Sequence, residues 1–250
     1  MIRLNPTWEE ELVRRGLADF EALWGLEARP FKEKKDRAIY VLSLAGKRLF
    51  LKRYFKISLF GRSEASNEWA AAWALMKAGV QVPRPVAYGE KRKGLKKRAF
   101  TLFEAAVGSR LEDLFRGSPL EASRSFPSLL AQFAAHFHRE GFSHQDFYLC
   151  HFFWDGKELT IIDLQRVRRR LPPKVSWVVK DIAELFYSAS EALGSFYPAF
   201  RASFIREYQR LFPLASEASF WARVERKREK IARHDAKLKV RLSSRRSGRK

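Results

Sequence analysis

Strand-forming segments are concentrated in the first 108 residues of the chain. Ala38–Leu44 and Arg48–Phe55 are rich in β-branched, aromatic and aliphatic residues, and the turn between them contains Gly46. This arrangement predicts a β-hairpin. The next segment, Glu64–Ala78, is alanine-rich and is followed by Gly79, a residue that suits the left-handed position after a helix. We therefore expect two paired strands followed by one helix.

The rest of the chain has a mainly helical pattern. After a further strand predicted over Ala99–Gly108, apolar residues recur at helical spacing within 127–141. A longer helical region is predicted from about Val178 to His234. Only the short apolar run at 159–163, between these helices, is typical of a strand. A β-rich part followed by an α-rich part predicts an α+β fold with two lobes.

The composition is that of a folded intracellular protein. Hydrophobic residues make up 46% of the 250 residues, which excludes a disordered chain. The single cysteine, Cys150, allows no intrachain disulfide and indicates a reducing compartment. The N-terminus is too charged for a secretory signal, and the aliphatic run Trp69–Met76 is shorter than the roughly 18 residues of a membrane span. We predict a cytoplasmic protein.

Positive charge is in large excess. The chain has 49 Lys and Arg residues against 28 Asp and Glu, a formal net charge of +21. Thirteen basic and three acidic residues lie in 221–250 alone. Such a chain attracts anions, namely nucleic acid, phosphorylated sugars, anionic lipid or acidic proteins, so an acidic protein is one possible class of partner. We also hypothesise that the basic tail binds the anionic cytoplasmic leaflet of the membrane, where each basic residue contributes at most about 1 kcal/mol.

The segment His144–Trp154, HQDFYLCHFFW, places polar and charged residues among aromatic ones. Charged groups are costly to bury without partners, so this pattern favours a loop that presents them. His144 precedes Asp146 by two residues, and His151 follows Asp146 by five. This is the spacing of a kinase catalytic loop, with His in place of the usual Asn. Asp163 follows at the end of an apolar strand, as a metal-binding aspartate does.

Each of these residues has a chemical role in a kinase hypothesis. Phosphoryl transfer depends on positioning and on neutralising phosphate charge. Asp146 would orient the acceptor hydroxyl and take its proton, and Asp163 would hold Mg²⁺ across the nucleotide phosphates. Lys52, at the end of a strand, would clamp phosphate oxygens. Glu64 and Glu68 lie on the following helix, and either could pair with Lys52.

On these motifs the chain resembles the bacterial lipopolysaccharide core kinases, which phosphorylate heptose or Kdo sugars and have a protein-kinase-like fold. The segment HQDFYLCHF is similar to their catalytic loop, especially that of the heptose kinases, in which His closes the loop. Three further segments resemble the family's helix-to-hinge region, metal-binding segment and a later helix: NEWAAAWALMKAGVQVPRPVAYGE, IIDLQRVRRR and WVVKDIAELFYSA.

The resemblance implies ATP and Mg²⁺ as cofactors and the lipopolysaccharide core saccharide as substrate. It favours heptose over Kdo because of His151, and Glu68 over Glu64 as the partner of Lys52. It also implies that Asp181 braces the catalytic loop. The enzyme would act on the cytoplasmic face of the inner membrane.

The implied fold is bilobal and protein-kinase-like. We predict an N-terminal helical extension over 1–28, a kinase-like β-rich N-lobe over 29–104, an α-helical C-lobe over 105–220 and a basic helical tail over 221–250. The strand around Glu104 is expected to form the hinge that meets adenine through backbone groups. No Gly-x-Gly-x-x-Gly loop is present in the sequence. The sequence therefore does not explain which segment would cover the phosphates of ATP.

The candidate site residues fall into three groups. The catalytic candidates are Asp146, Lys52 and His144. The candidates for binding the nucleotide and its metal are Lys52, Glu68, Glu104, His151 and Asp163, with Asp163 and His151 as the metal ligands. His151 would be an unusual ligand for Mg²⁺, which prefers oxygen, and could instead orient the loop or contact a phosphate. Arg166 and Arg168 are expected to contact an anionic acceptor.

Other hypotheses stay open. A basic nucleic-acid-binding protein explains the charge but not the spaced His, Asp and Lys, so we predict no specific nucleic acid partner. A metal-dependent hydrolase with ligands at His144, Asp146, His151 and Asp163 leaves Lys52 without a role. A Kdo kinase, another small-molecule or protein kinase of this fold, and an inactive kinase also fit, the last because the Gly-rich loop is missing.

Overall fold

The computed structural model describes residues 1–28, 30–55, 57, 62–94 and 96–247. The chain forms two compact units. The first unit contains Met1–Gly108 and Asp155–Val167, and the second contains Ser109–Trp154 and Arg168–Lys250. Strands dominate the first unit and helices dominate the second, which confirms the predicted α+β class.

The elements are numbered in chain order. The strands are β1 (Ile2–Leu4), β2 (Pro30–Glu33), β3 (Arg37–Leu44), β4 (Lys47–Tyr54), β5 (Pro85–Lys93), β6 (Lys96–Glu104), β7 (Ser109–Arg110), β8 (Phe142–Ser143), β9 (Phe152–Trp154), β10 (Leu159–Ile161) and β11 (Arg168–Arg169). The α-helices are α1 (Pro6–Arg14), α2 (Phe20–Gly25), α3 (Glu64–Lys77), α4 (Leu111–Gly117), α5 (Pro119–Ser125), α6 (Pro127–Arg139), α7 (Val175–Leu193), α8 (Tyr197–Leu211) and α9 (Ala218–Ser247).

The first unit is built on a six-stranded sheet in the order β1-β5-β6-β4-β3-β2. Every neighbouring pair in it is antiparallel. One face packs on residues of α1 and α2, among them Trp8, Leu12 and Leu23, which share a core with Leu49 and Leu51 of β4. The opening 25 residues therefore belong to the sheet and its covering layer, because β1 is an edge strand and α1 and α2 close the face.

The predicted hairpin is formed by β3 and β4. Its turn residues Ala45 and Gly46 both have positive φ, 50° and 72°, as a type I′ turn requires, so the strand twist continues through the turn. Successive side chains of a strand point to opposite faces. Leu51 consequently lies in the core with α1 and α2, whereas Tyr54 packs on the other face with α3. Lys52 shares the face of Tyr54.

Helix α3 lies on that second face of the sheet and follows the prediction to within one residue at its end. Ser63 caps it, because its hydroxyl accepts a hydrogen bond from Ser66 N at 3.0 Å. Gly79 has a φ of 73° and ends the helix in the left-handed conformation. The face turned to the sheet buries Ala65, Trp69 and a charged residue, Glu68.

The second unit is a helical bundle with short strands. Aromatic side chains fill the space between α6, α7, α8 and the segment after β8. The fully buried members include Phe137, Phe147, Phe152, Phe186, Phe200, Phe204 and Tyr208. The short strand β8 pairs antiparallel with β11, which fixes the start of the polar segment that follows β8. At the end of that segment β9 pairs antiparallel with β7.

Two segments differ from the sequence prediction. The sequence predicted no strand between the helix at 64–78 and Ala99, but β5 lies there. Pro85 is tolerated because it is the first strand residue and adjoins a register shift. The helical region predicted over 178–234 is three helices, interrupted at Gly194 and at Pro213. Among the described residues, no helix combines the length and the apolar character needed to cross a lipid bilayer.

Candidate active site

Lys52, near the end of β4, forms two ion pairs. Its Nζ lies 2.5 Å from Glu68 Oε1 and 3.0 Å from Asp163 Oδ1. The side chain of Lys52 is 16% exposed and that of Glu68 is 3% exposed. Glu64, one helical turn earlier, is 53% exposed and lies 3.6 Å from Arg37 instead. The structure thus places Glu68 against Lys52 and holds the ammonium group in one position, as a phosphate clamp requires.

The carboxylate of Glu68 has hydrogen-bond partners on both oxygens. Oε2 accepts from Thr101 Oγ1 at 2.8 Å and from the Tyr54 hydroxyl at 3.1 Å, while Oε1 faces Lys52. A buried carboxylate with all these partners has little freedom to turn. Tyr54 and Thr101 were not identified from the sequence. Tyr54 lies two residues after Lys52, so the strand period of two is a usable signal for it.

The same contacts fix the protonation states of this cluster. Burial alone would lower the pKa of Lys52, but the negative charges of Glu68 and Asp163 outweigh burial and raise that pKa. Burial, followed by the charge of Glu68, raises the pKa of Tyr54 well above its ordinary value. At physiological pH Lys52 is therefore a cation and Tyr54 a neutral hydrogen-bond donor.

Asp163 lies two residues after β10 and has left-handed backbone angles, φ 65° and ψ 56°. Aspartate is one of the few residues other than glycine that visits this conformation routinely. Helix α3 holds the segment that follows, because Asn67 Nδ2 donates to the carbonyl oxygens of Gln165 at 2.7 Å and Val167 at 3.0 Å. Consecutive residues of α3, Asn67 and Glu68, thus fix this segment and Lys52.

A small cavity of about 60 Å³ lies beside Lys52 and Asp163. Three further cations line it: Lys32, Lys34 and Arg37, from β2, from the β2–β3 turn and from β3. The sequence predicted neither β2 nor this basic lining. Strand β2 is short and fully exposed, so it lacks the apolar alternation by which strands are recognised.

The second unit contains the segment between β8 and β9, residues 144–151, which the sequence predicts to be a catalytic loop and which keeps that name below. Asp181 of α7 is fully buried and binds its start. The carboxylate accepts from His144 N at 2.7 Å, Gln145 N at 2.9 Å and Ser143 Oγ at 2.8 Å. It also lies 3.4 Å from His138 Nε2. These hydrogen bonds are the contacts expected of the residue that braces the loop, the role that the resemblance implied for Asp181.

Helix α7 holds the catalytic loop at two more points. Glu184 Oε2 accepts from Phe147 N at 3.0 Å, and Ser188 Oγ accepts from Leu149 N at 3.0 Å. Asp181, Glu184 and Ser188 are spaced by three and four residues and so share one helix face. Sequence reasoning missed Glu184 and Ser188, although this spacing from Asp181 would have indicated them.

Lys180, on the same helix, closes this network. Its ammonium group donates to the backbone carbonyl of Gln145 and to the carboxylate of Glu184. Burial raises the pKa of Glu184, and Lys180 and the Phe147 amide oppose that shift. Burial and the charge of Glu184 also raise the pKa of Tyr148. The loop therefore carries a neutral phenol beside a partly shielded carboxylate.

His151 and Asp146 are joined within the catalytic loop. His151 Nδ1 lies 2.7 Å from the carbonyl oxygen of Asp146, which also accepts from Tyr148 N at 3.0 Å. A carbonyl oxygen only accepts, so Nδ1 of His151 carries a proton. His144 is fully buried, with its ring 6.1 Å from Phe147 and 5.8 Å from His151. This position suits support of the loop.

The donor chemistry allows a test of the expected magnesium ion. Mg²⁺ prefers oxygen ligands in an octahedral arrangement. Asp163 offers a partly exposed carboxylate in the first unit, beside Lys52 and the basic cavity, and this fits a metal carried by nucleotide phosphates. His151 offers imidazole nitrogen, a poor ligand for Mg²⁺. The residues therefore favour Asp163 over His151.

The remaining predicted residues lie outside these networks. Glu104 ends β6, and its side chain binds Lys47 Nζ and Trp8 Nε1, each at 2.9 Å. Arg166 is exposed in the first unit. Arg168 is exposed in the second unit, with its guanidinium 5.5 Å from the ring of Trp177. Their expected contacts with substrate stay predictions.

Comparison with known proteins gives consistent matches. Residues 7–208 match the model of the lipopolysaccharide kinase (Kdo/WaaP) family. The chain is 28% identical to the lipopolysaccharide core heptose(I) kinase WaaP of Pseudomonas aeruginosa, over 86% of this chain and 91% of the relative. It is 26% identical to a 3-deoxy-D-manno-octulosonic acid kinase of Stenotrophomonas maltophilia, over 75% and 80% of the two chains.

One solved structure matches most of the chain. It is described as WaaP in complex with acyl carrier protein, and it superposes with a TM-score of 0.69 at 26% sequence identity. The match covers 92% of this chain and 98% of that one. The likeness thus includes both units described above.

Proposed function

Because the chain belongs to the lipopolysaccharide kinase (Kdo/WaaP) family, we propose that it transfers the γ-phosphate of ATP to a sugar hydroxyl of the lipopolysaccharide inner core, heptose being the acceptor. Family membership confirms the predicted protein-kinase-like fold and the phosphotransferase class. The observation that carries the proposal is the placement of Lys52 Nζ between Glu68 and Asp163. A metal-dependent hydrolase has no use for this clamp.

Asp146 is the proposed base. It orients the acceptor hydroxyl and takes its proton as the new bond forms between the hydroxyl oxygen and the γ-phosphorus. The bond between that phosphorus and the β,γ-bridging oxygen breaks, and ADP leaves with the electron pair. The carbonyl of Asp146 is held by His151 and Tyr148, so the loop positions this carboxylate through its backbone.

The nucleotide is proposed to bind to residues of the first unit. Lys52 contacts phosphate oxygens, and Lys32, Lys34 and Arg37 supply further positive charge where a Gly-rich loop would otherwise act. The amides of Glu104 and Ala105 are already bonded to Arg84 O and Arg48 O. The adenine contact expected near Glu104 is therefore proposed for the backbone of 106–107.

Magnesium is proposed to bind at Asp163. When bound, it neutralises charge on the β- and γ-phosphates. Lys52 holds Oδ1 of Asp163, and the Asn67 amide holds the backbone after it, so the carboxylate is kept in place before the nucleotide arrives. His151 is assigned the orientation of the catalytic loop.

The acceptor is proposed to be anionic. Relatives of this chain are named as kinases of 3-deoxy-D-manno-octulosonic acid, a sugar acid, and others as kinases of lipopolysaccharide core heptose. His151 at the end of the loop is the feature that favoured heptose from the sequence. Arg166 and Arg168 are proposed as exposed contacts for acceptor charge.

An acidic protein partner and a membrane surface are also proposed. The net charge of +21 favours both, and a matching structure is described as a complex with acyl carrier protein. Size-exclusion chromatography of this chain with acyl carrier protein tests the first. Sedimentation with anionic vesicles, comparing the full chain with one ended before 221, tests whether the basic tail binds membrane. Equal binding would eliminate that role.

The central experiment measures magnesium-dependent ATP turnover with purified core oligosaccharide. The variants are Asp146→Asn and Lys52→Ala, with Lys91→Ala as the control because Lys91 lies in the same sheet, is 48% exposed and pairs with Glu21, outside the candidate site. We expect transfer to the saccharide in the native and control proteins and its loss in the two site variants. Turnover that persists in Lys52→Ala would contradict the proposal.

A further inference from the structure

Helix α9 carries basic residues on two faces that differ in charge balance. On one face the cations are neutralised, because Arg228 pairs with Glu225 and Lys239 pairs with Asp235. The other face has four basic residues at spacings of three, four and seven: Arg223, Arg226, Lys227 and Lys230. Within the described ranges, none of these four forms an ion pair. Neighbouring like charges repel one another, so this face favours binding of an anion.

The unpaired face of α9 lines a depression of about 410 Å³ together with the first turns of α7. We call it the basic depression. Helix α7 contributes Ser176 and Lys180, and the described lining includes no carboxylate. Ser176 lies in the first turn of α7, where the helix dipole adds positive potential. The four cations on the unpaired face of α9, the Lys180 ammonium group paired with Glu184, and a helix start therefore surround one space.

Lys180 connects the basic depression to the catalytic loop. Its ammonium group donates to the carbonyl oxygen of Gln145, the residue immediately before Asp146, and to Glu184, which holds the amide of Phe147. The side chain of Lys180 is still 28% exposed. An anion bound in the depression would thus contact a side chain that itself contacts the residue beside the proposed base.

We propose that the basic depression binds a carboxylate or phosphate group of the acceptor saccharide and so holds its hydroxyl at the catalytic loop. This inference rests on the proposed function and deepens it. The charge of ATP is met by Lys52 and the cations of the first unit, whereas the depression belongs to the same unit as Asp146. Arg223 and Arg226 suit such a ligand because a guanidinium binds carboxylate and phosphate through paired hydrogen bonds.

The test is a kinetic comparison of Arg226→Gln/Lys227→Gln with the native enzyme. Gln retains helix propensity, and both residues lie on the surface of α9, so folding should be kept and is checked by thermal melting. We expect the KM for core oligosaccharide to rise by about tenfold or more, with kcat and the KM for ATP within about twofold. The control is Arg210→Gln/Lys239→Gln, which removes the same charge from side chains that are 66% and 65% exposed and lie outside the depression.

Two modified acceptors identify the anionic group. Core oligosaccharide with its carboxyl groups reduced, or with its phosphates removed, is titrated against both proteins. If the native and variant proteins have the same KM for one of these modified acceptors, the group removed from that acceptor is the one that the basic depression binds. This outcome supports the proposal. A variant KM equal to the native value for every acceptor would overturn it, even if binding to anionic vesicles or to acyl carrier protein fell. A rise confined to the KM for ATP would also overturn it.

Failure of the proposed function itself would look different. In that case the native enzyme transfers no phosphate to core oligosaccharide. Calorimetric titration of the same oligosaccharide into native protein and Arg226→Gln/Lys227→Gln then decides the matter, since it needs no turnover. Weaker binding by the variant supports the basic depression as a saccharide site, and equal or absent binding rejects it.

Discussion

The carboxylate of Asp181 accepts the backbone N–H of His144 at 2.7 Å, and both residues are completely buried. The same carboxylate accepts the N–H of Gln145. An aspartate in the interior of α7 thus fixes the two residues that precede the proposed base Asp146. The position of that base therefore depends on a residue with no exposed surface.

Replacing Asp181 by Asn should damage both stability and turnover. The amide nitrogen of Asn donates rather than accepts, so a buried N–H of the catalytic loop loses its acceptor, at a cost of about 1–3 kcal/mol. We expect a lower free energy of unfolding in urea and a kcat reduced by about tenfold or more. Glu191→Gln is the control, because Glu191 lies on the same helix and is 49% exposed. Equal kcat values for the two variants would contradict the assignment.

Glu68→Gln should impair nucleotide use, whereas Glu64→Gln should not. The Gln side chain keeps the size of Glu68 but removes the charge that pairs with Lys52, and breaking a buried ion pair on one side costs about 3–5 kcal/mol. We expect kcat/KM for ATP to fall by about tenfold or more in Glu68→Gln. Steady-state kinetics at varied ATP measure this. Glu64 is the more exposed of the two glutamates. If kcat/KM for ATP falls as far in Glu64→Gln as in Glu68→Gln, the ion pair between Lys52 and Glu68 is not the cause of the loss.

Lys34→Ala tests the basic cavity beside Lys52. Removing one of its cations should weaken phosphate binding and raise the KM for ATP by about two- to tenfold. Lys35→Ala is the matched control, because Lys35 is the adjacent exposed lysine and does not line the cavity. The effect should diminish at high salt, since screening weakens exposed charges. An unchanged KM in both variants would show that the β2–β3 hairpin does not bind the nucleotide.

The environment of Glu90 predicts that the free energy of unfolding decreases in acid. Burial tends to raise its pKa, but hydrogen bonds from Lys97, Ser63 and Tyr88 outweigh burial and lower it. A carboxyl with a depressed pKa in the folded state stabilises that state fully above its ordinary pKa of 4.5, and the contribution is lost as pH falls through the folded value. Ser63 caps α3, so protonation also weakens that cap.

Urea unfolding of the native protein and of Glu90→Gln, from about pH 7 down to about pH 3, checks this linkage. The native protein should be more stable at neutral pH, and the difference in unfolding free energy should shrink below pH 4.5. A difference that is constant with pH would mean that Glu90 acts through shape rather than charge.

Gly89→Ala should destabilise the first unit. A Cβ at this position would lie 2.3 Å from Phe100 Cε1 and 2.8 Å from Phe20 Cδ2, so these rings must move. Overpacking of this kind costs about 1–3 kcal/mol. Gly117→Ala is the control, because an added Cβ there meets nothing within 4 Å. Thermal melting of both variants measures the effect, and equal melting temperatures would show that the core accommodates the methyl group.

The sequence predicted local elements well where their signals were local. The β3–β4 hairpin and α3 follow from turn and cap residues, because Gly46 and Gly79 supply conformations that the elements require. The α+β class followed from the order of strand-rich and helix-rich segments. The family followed from the catalytic-loop spacing together with Lys52 and the resembling segments. The choice of Glu68 over Glu64 came from resemblance, and the structure gives its physical basis in the contacts with Tyr54 and Thr101.

The elements that were missed depend on distant contacts. Strand β2 has no apolar alternation and exists through its pairing with β3. Strand β5 begins at a proline, and its place between β1 and β6 is set by long-range hydrogen bonds. In the sequence Glu184 and Ser188 are ordinary helix residues. Their role is visible only in the hydrogen bonds that they accept from backbone amides of the catalytic loop. These strands and side chains are defined by contacts between residues far apart in the chain, and a single sequence gives little local signal for such contacts.

The attachment of four loop amides to one face of α7 has a consequence for how such enzymes can change. The path of the catalytic loop is encoded in a helix about forty residues away, and the anchored groups are backbone groups that every residue except proline possesses. At Gln145 the backbone also restricts the residue type, because φ is 64° there, in the left-handed region that β-branched side chains rarely adopt. Transplanting this loop into another scaffold would require carrying α7 with it, since α7 supplies the acceptors for the loop amides.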